Sequence, residues 1–451
     1  MSLAVPILYI SSRANTGAGG ERYLYNVMRH VDRVRFEPHV LLPGEGSFRP
    51  LLEELGIVVH IVESKYGWLV KDPNWYNFMH SLPERVARTE EIIRKNNIKI
   101  VHTNSNIRFE GLIAANLVGA HHLYAARVDF QPELDLFKRL GFNECTFARF
   151  MGDLSTKVLS VSQSVADRLS PPIDTDKIRV IHNGINLEDL QATTANSESD
   201  IRTELGLSND DILVTAAGRV SADKGFDTYL LAAADIVHKH SKAHFLIAGK
   251  IEDPSYQNRL QAIAREKGIE SNVHFLGFRD DIHPILTQSD IFVLSSRREG
   301  QSNALLEALA CKCAVVATRC SGVEEIIQPG VTGFIVEIED HRKMAEDILL
   351  LVEDTKMRRS LSSAGFDLIS NSFQLRKKVE ELMDLYDEIL SLPPPKPGSP
   401  IVHILLQHMK ETGLLGRRVE ELDERLKQTE QFVRQLNNNI LARMVRKLKR
   451  K

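Results

Sequence analysis

Short apolar runs rich in Val, Ile and Leu recur along this chain, each followed by a glycine-bearing or polar turn and then by a stretch with helical spacing. The runs lie at residues 5–10, 38–42, 58–61, 100–103, 123–127, 157–162 and 178–184, and again at 213–217, 244–248, 273–276, 291–294, 314–318 and 334–337. Near-continuous apolarity marks strands covered on both faces. Strands that alternate with helices build parallel sheets with helices on each side, so an α/β fold is predicted. The alternation breaks once, at residues 191–200, which are rich in Thr, Ala, Asn, Ser and acid and read as an exposed linker. This predicts two sheet-bearing domains, 1–190 and 201–374, and a closing helix over 375–392. At 451 residues the chain is long enough for two cores with a tail left over.

In open parallel sheets, ligands bind beyond the carboxyl ends of the strands. The turn after residues 291–294 puts Glu299, Gly300, Gln301, Ser302 and Asn303 there, and Glu307 follows in an Ala/Leu-rich helix over 304–310. A helix start offers unpaired N–H groups and the positive end of a dipole, which suit a phosphate. The two carboxylates can hold two hydroxyl-bearing parts of one ligand. After residues 213–217 comes Gly218-Arg219-Val220-Ser221-Ala222-Asp223-Lys224-Gly225, whose two cations can hold a diphosphate and stabilise it as a leaving group. After residues 5–10, Gly17, Gly19 and Gly20 open a helix. They lack the full dinucleotide fingerprint, and a tight turn is an equal reading. His102 to Asn106 and Arg127-Val128-Asp129 also follow strands and can line a cleft, with His102 read as a structural hydrogen bonder. The aromatic-rich stretch 66–80 reads as a packed connection.

A net charge of −3 gives no reason to expect nucleic acid as a partner. Four cysteines in so long a chain fit a reducing cytoplasm, and Cys311, Cys313 and Cys320 match no zinc spacing, so packed thiols are expected. Asp174-Thr175-Asp176 follows two prolines and reads as a surface turn, so no metal is expected. The first apolar run is too short for a signal core, and no run is long enough to span a bilayer.

The run Pro393-Pro394-Pro395-Lys396-Pro397-Gly398 closes the globular part, and 393–413 reads as a second linker. Over 414–451, Leu415, Val419, Leu422, Leu426, Thr429, Val433, Leu436 and Ile440 alternate four and three apart, a heptad pattern with one weak position at Thr429. It can pair with a copy of itself or with another protein. Residues 441–451 place Leu441, Met444, Val445 and Leu448 on one helical face among six basic residues. That suits an anionic membrane surface, at ~1 kcal/mol per basic residue, and a solvated end is an equal reading.

Taken together, Gly218-Arg219 with Lys224-Gly225, and Glu299 with Glu307 eight residues on, resemble the retaining glycosyltransferases of the GT-B fold, in particular family 4 and the glycosyl transferases group 1. Gly17-x-Gly19-Gly20, the run from Val180 to Ile185 and Gly330-x-x-Gly333 support the likeness, which covers roughly residues 1–392. The resemblance implies two Rossmann-like domains facing a cleft, the second holding a nucleotide-sugar donor. It implies that Arg219 and Lys224 bind the donor diphosphate, Glu299 the sugar hydroxyls and Glu307 the ribose. Gly300 to Asn303 would meet phosphate or sugar, and Gly17 to Gly20 would approach from the other domain. It further implies a metal-independent enzyme with no cofactor beyond its donor, passing sugar to a glycan or lipid-linked acceptor, cytoplasmic and at the inner face of a bacterial membrane. Two features depart from the family. Arg127 falls where many members carry His, and it cannot be a base at neutral pH. Cys311-Lys312-Cys313-Ala314 replaces the usual Gly and Pro turn, read as a locally altered turn. A nucleotide-sugar epimerase of the same fold and a non-catalytic assembly partner acting through the heptads are the competing readings.

Overall fold

The computed structural model describes residues 4–16, 19–64, 75–104, 108–127, 143–170, 172–195, 197–398 and 400–448. Seven strands form the first sheet: β1 Val5–Ile10, β2 Phe36–Leu42, β3 Val58–Ile61, β4 Ile100–Thr103, β5 His121–Ala126, β6 Lys157–Ser160 and β7 Ile178–Val180, in the order β3-β2-β1-β4-β5-β6-β7. Six form the second: β8 Ile212–Ala217, β9 Ala243–Ala248, β10 Val273–Gly277, β11 Ile291–Leu294, β12 Ala314–Thr318 and β13 Phe334–Val336, in the order β10-β9-β8-β11-β12-β13. Every pairing in these two sheets is parallel. The apolar runs are apolar on both faces because both are covered. Within β1, Ile7 and Tyr9 enter one core while Leu8 and Ile10 enter the other.

The closing helix, Leu375–Ser391, returns to the first domain. It buries Leu375, Val379, Leu382, Tyr386 and Ile389 against Tyr9, Val27 and Phe36, a stripe at three- and four-residue spacing. The Tyr386 hydroxyl lies 2.7 Å from His102 Nδ1 and 3.1 Å from the Tyr9 hydroxyl. Burial holds the His102 imidazole well below its usual pKa, with the nearby Arg127 charge adding to this, so His102 is a neutral structural bonder. Where the chain crosses between domains, a Cβ on Gly184 would sit 2.5 Å from the Leu375 Cα, so only glycine allows this approach.

Two stretches read as linkers differ. Residues 191–195 end the helix Leu187–Ala195, and Asp200 then caps Ile201–Leu205 by accepting from the Arg202 and Thr203 amides. Within 393–413, a helix starts at Pro400 and runs to Leu448. Val402, Leu406 and Met409 are buried beside Phe78, Leu82 and Val86 of the helix Trp75–Lys95. Their spacing of four and three is an amphipathic signal that the preceding prolines obscured. Phe78 and Met79 pack in that core as a connection should, while residues 65–74 lie outside the described residues. Among the described residues no helix is long and apolar enough to cross a membrane.

Candidate active site

Strand order reverses between β1 and β4 in the first sheet and between β8 and β11 in the second. At such switch points the loops leaving neighbouring strands diverge and open a crevice. The loops leaving β8 and β11 are those that carry Arg219, Lys224 and Glu299. They meet residues of the first domain across one cleft of about 360 Å³, lined by Gly19, Gly20, Arg127, Asn183, Arg219, Lys224, Glu299, Gln301, Ser302, Asn303 and Glu307, among others. Gly17 and Asp129 lie outside the described residues.

Lys224 ends a short 3-10 turn, Ala222–Lys224, after β8. Its Nζ donates to Glu299 Oε1 at 2.6 Å, and the Ser296 hydroxyl donates to the same oxygen at 2.8 Å. Both side chains are largely shielded from solvent. Arg297 braces the turn, donating to the Ala222 carbonyl at 2.5 Å and to Asp227 at 3.0 Å, and Tyr256 donates to Asp227 at 2.9 Å. Arg219 is more exposed and pairs with Glu252 and, at 3.4 Å, with Asp223. The two cations therefore differ: Lys224 is fixed against Glu299, and Arg219 is held at the rim by acids.

The loop from Gly300 to Asn303 does two things. Gln301, Ser302 and Asn303 line the cleft, and the Ser302 hydroxyl caps the helix Asn303–Ala310 by accepting from the Leu305 amide at 3.3 Å. The same loop also touches the first domain. Ser162 donates to the Gly300 carbonyl at 2.9 Å, the Asn183 amide donates to Gln301 Oε1 at 2.5 Å, and Asn183 Nδ2 donates to Asn303 at 3.0 Å. Asn183 Oδ1 also accepts from Arg127 at 2.9 Å. Arg127 donates to Asn104 at 2.8 Å, and its guanidinium lies 3.9 Å from the Tyr23 ring centre. The role of Asn183 as the bridge was not drawn from the sequence, although it stands inside the run from Val180 to Ile185.

Glu307 lies one helical turn into Asn303–Ala310 and faces the cleft beneath Arg22, which donates to it at 3.3 Å, with His283 at 3.8 Å. Burial alone would raise its pKa, but His283 and Arg22 outweigh burial and hold the carboxyl below its usual range. Arg22, His283 and Glu252 carry no local sequence signal. Past this helix, Lys312 adopts the left-handed conformation, at φ +61°, between buried Cys311 and Cys313. Burial pushes the Cys311 thiol up to about 12, so these are packed thiols at an altered turn. Asp174, Thr175 and Asp176 are exposed, and among the described residues no cluster of His, Cys, Asp and Glu could hold a metal.

A second contact between the domains joins Glu325 to His182. Glu325 lies 2.7 Å from His182 Nε2 and accepts from the amides of Gln163 at 2.7 Å and Ser164 at 3.1 Å. Burial would raise its pKa, but the His182 bond and these amides hold it below its usual value. A carboxyl depressed in the folded state stabilises fully above its unfolded pKa, ~4.3, and loses that contribution as pH falls through the folded value. The stability gap between wild type and Glu325→Gln should therefore shrink as pH falls below about 4. Thermal midpoints measured across that range check this, and parallel curves at all pH values would refute it.

Residues 197–367 match the family described as Glycosyl transferases group 1, and residues 17–189 match Glycosyltransferase Family 4. N-acetyl-alpha-D-glucosaminyl L-malate synthase of Bacillus anthracis is 24% identical over 315 residues, 67% of this chain and 78% of that protein. UDP-Gal:alpha-D-GlcNAc-diphosphoundecaprenol alpha-1,3-galactosyltransferase of Escherichia coli is 26% identical over 307 residues, 66% of this chain and 78% of that protein. The putative glycosyltransferase EpsD of Bacillus subtilis is 28% identical, but the match spans only 56% of its length and 48% of this chain. Among solved structures, Anabaena HepE in complex with UDP and glucose superposes with a TM-score of 0.71 at 21% identity, covering 85% of this chain and all of HepE. At that identity the likeness shows the fold: two facing Rossmann-like domains of GT-B type.

Proposed function

Because this chain belongs to the group 1 glycosyltransferases, with the family 4 match in its N-terminal half, we propose that it moves a sugar from a nucleoside diphosphate sugar to a glycan or lipid-linked acceptor, with retention at the anomeric carbon. The observation that carries this reading is the Lys224–Glu299 pair at 2.6 Å, in a cleft shared with Arg219, Glu307 and the capped start of Asn303–Ala310.

In this reading Lys224 and Arg219 hold the diphosphate. Both cations remain charged as it departs, so they stabilise the leaving group without rearranging. The amides from Gly300 to Asn303 and the dipole of the helix behind them add to the positive field. Glu299 accepts from hydroxyls of the donor sugar, and its bond to Lys224 fixes its orientation. Glu307 accepts from the ribose hydroxyls in place of Arg22. The acceptor hydroxyl oxygen bonds to the anomeric carbon on the face from which the diphosphate leaves. The bond from that carbon to the diphosphate oxygen breaks, and the acceptor proton passes to the departing oxygen. No step needs a base at Arg127, whose guanidinium is held by Asn104 and Asn183 and in this reading contacts acceptor or phosphate. No metal is required by this scheme. The Gly19–Gly20 backbone approaches the donor from the opposite domain, and closure of the domains limits hydrolysis by water.

The acceptor named for the E. coli relative is lipid-linked, which supports that acceptor class and synthesis of a cell-surface polysaccharide or glycolipid. The basic residues of 441–451 fit attachment to the inner face of an anionic membrane. The test is incorporation of labelled sugar from a panel of nucleotide sugars into membrane acceptors. Acceptor-dependent transfer with the anomeric configuration preserved is expected. Isomerisation of the donor without an acceptor would refute the reading. Glu307→Ala should weaken nucleoside diphosphate binding about tenfold or more, since it removes charge-assisted bonds worth ~1.5–3 kcal/mol. Calorimetric titration measures this, and an unchanged Kd would remove Glu307 from the ribose site.

A further inference from the structure

We infer that the helix Pro400–Leu448 joins two copies of this chain in a parallel, in-register coiled coil starting near Leu415. The first turns of this helix are already occupied, with Val402, Leu406 and Met409 buried on the first domain. Its next apolar stripe is not. Leu415, Val419, Leu422 and Leu426 are 58% to 63% exposed, an unusual cost for four large apolar side chains in one row.

The identity of each residue says what covers the stripe. In heptad terms Val419, Leu426, Val433 and Ile440 take the a positions, and Leu415, Leu422, Thr429 and Leu436 take the d positions. Three of the four a residues are β-branched and three of the four d residues are Leu. That combination packs as a parallel pair, not as a trimer or tetramer. The flanking charges agree. Arg418 and Arg425 take the g positions, and Asp423 and Glu430 take the following e positions. In a parallel pair, Arg418 of one copy faces Asp423 of the other, and Arg425 faces Glu430, twice over by symmetry. In an antiparallel pair the g positions face each other and so do the e positions, which sets Arg against Arg and acid against acid.

Thr429, the weak layer, is also compatible with a seam. Its hydroxyl already donates to the Arg425 carbonyl at 2.8 Å, so burial leaves no donor unsatisfied. A membrane surface is the poorer occupant for this segment. Residues 415–431 carry four basic and five acidic side chains, so an anionic surface would gain nothing from them.

Light scattering on the full chain tests the inference, with two charge variants. Wild type is expected at twice the chain mass. Arg418→Glu with Arg425→Glu turns four attractions into repulsions and should weaken the dimer roughly a hundredfold. Asp423→Arg with Glu430→Arg should do the same. An equimolar mixture of the two variants should recover the dimer mass, which a folding defect could not do. A monomer at all concentrations, a trimer or tetramer, or a dimer indifferent to the charge reversals would each overturn the inference. Sedimentation of a monomer with anionic vesicles through 415–431 would assign the stripe to lipid instead.

Discussion

Lys224→Ala should lower sugar transfer by about 10²–10³-fold, the range seen when one preorganised group facing developing charge is removed. The effect is expected to be larger than that of Arg219→Ala. Lys224 is shielded and oriented by Glu299, whereas Arg219 stands at the rim with its charge shared between Glu252 and Asp223. Charges in a shielded site act through a lower dielectric and so count for more. The loss should fall mainly on kcat, because departing diphosphate carries more charge than bound donor. Lys224→Arg should restore little, since a planar fork cannot replace a point charge seated against one carboxylate oxygen. Initial rates at saturating donor measure this, and a variant within threefold of wild type would remove Lys224 from the chemistry.

A large loss of stability should come from Gly225→Ala. Gly225 takes φ +62°, and a Cβ there would lie 2.1 Å from the Ser295 carbonyl oxygen. An L-residue in the left-handed region already costs ~1–2 kcal/mol. The overlap adds to this, and it cannot relax cheaply, because the obstacle is backbone. At this point the loops leaving β8 and β11 touch, with the Ser295 hydroxyl donating to the Lys224 carbonyl at 2.9 Å. Pushing them apart displaces Lys224 and Glu299 together. A loss of about 3 kcal/mol or more in the unfolding of the second domain is expected, with loss of nucleotide binding. Urea denaturation measures it, and a variant as stable as wild type would show that the loops can part without strain.

Much of the fold was legible because parallel strands covered on both faces are locally apolar. The runs at residues 100–103 and 291–294 match β4 and β11 to the residue. The ends of strands were less legible. β5 starts at His121, two residues before the apolar pattern, because His121 and His122 are buried by bonds to Thr156, Ser155 and Thr103 rather than by apolarity. That Lys224 and Glu299 line one cleft was legible because both lie in loops just past the carboxyl ends of strands. The site was illegible where the partner is distant. Arg22 meets Glu307 across 285 residues of chain, and no period or turn signal connects them. Asn183 had a visible motif, but its bonds to Gln301, Asn303 and Arg127 depend on how two domains face each other. The packed part of 393–413 was missed because a proline run dominates local reading, while burial of Val402 and Leu406 depends on a helix more than three hundred residues earlier.

Sugar transfer in this cleft requires that a nucleoside diphosphate bind through Lys224. That binding is tested most directly by thermal melting of wild type and Lys224→Ala against UDP, GDP and ADP. A ligand that binds only the folded state raises the midpoint in proportion to its occupancy. One nucleotide should stabilise wild type, and Lys224→Ala, folded and melting near wild type without ligand, should lose that gain. No stabilisation by any of the three, or equal stabilisation of both proteins, would contradict the account.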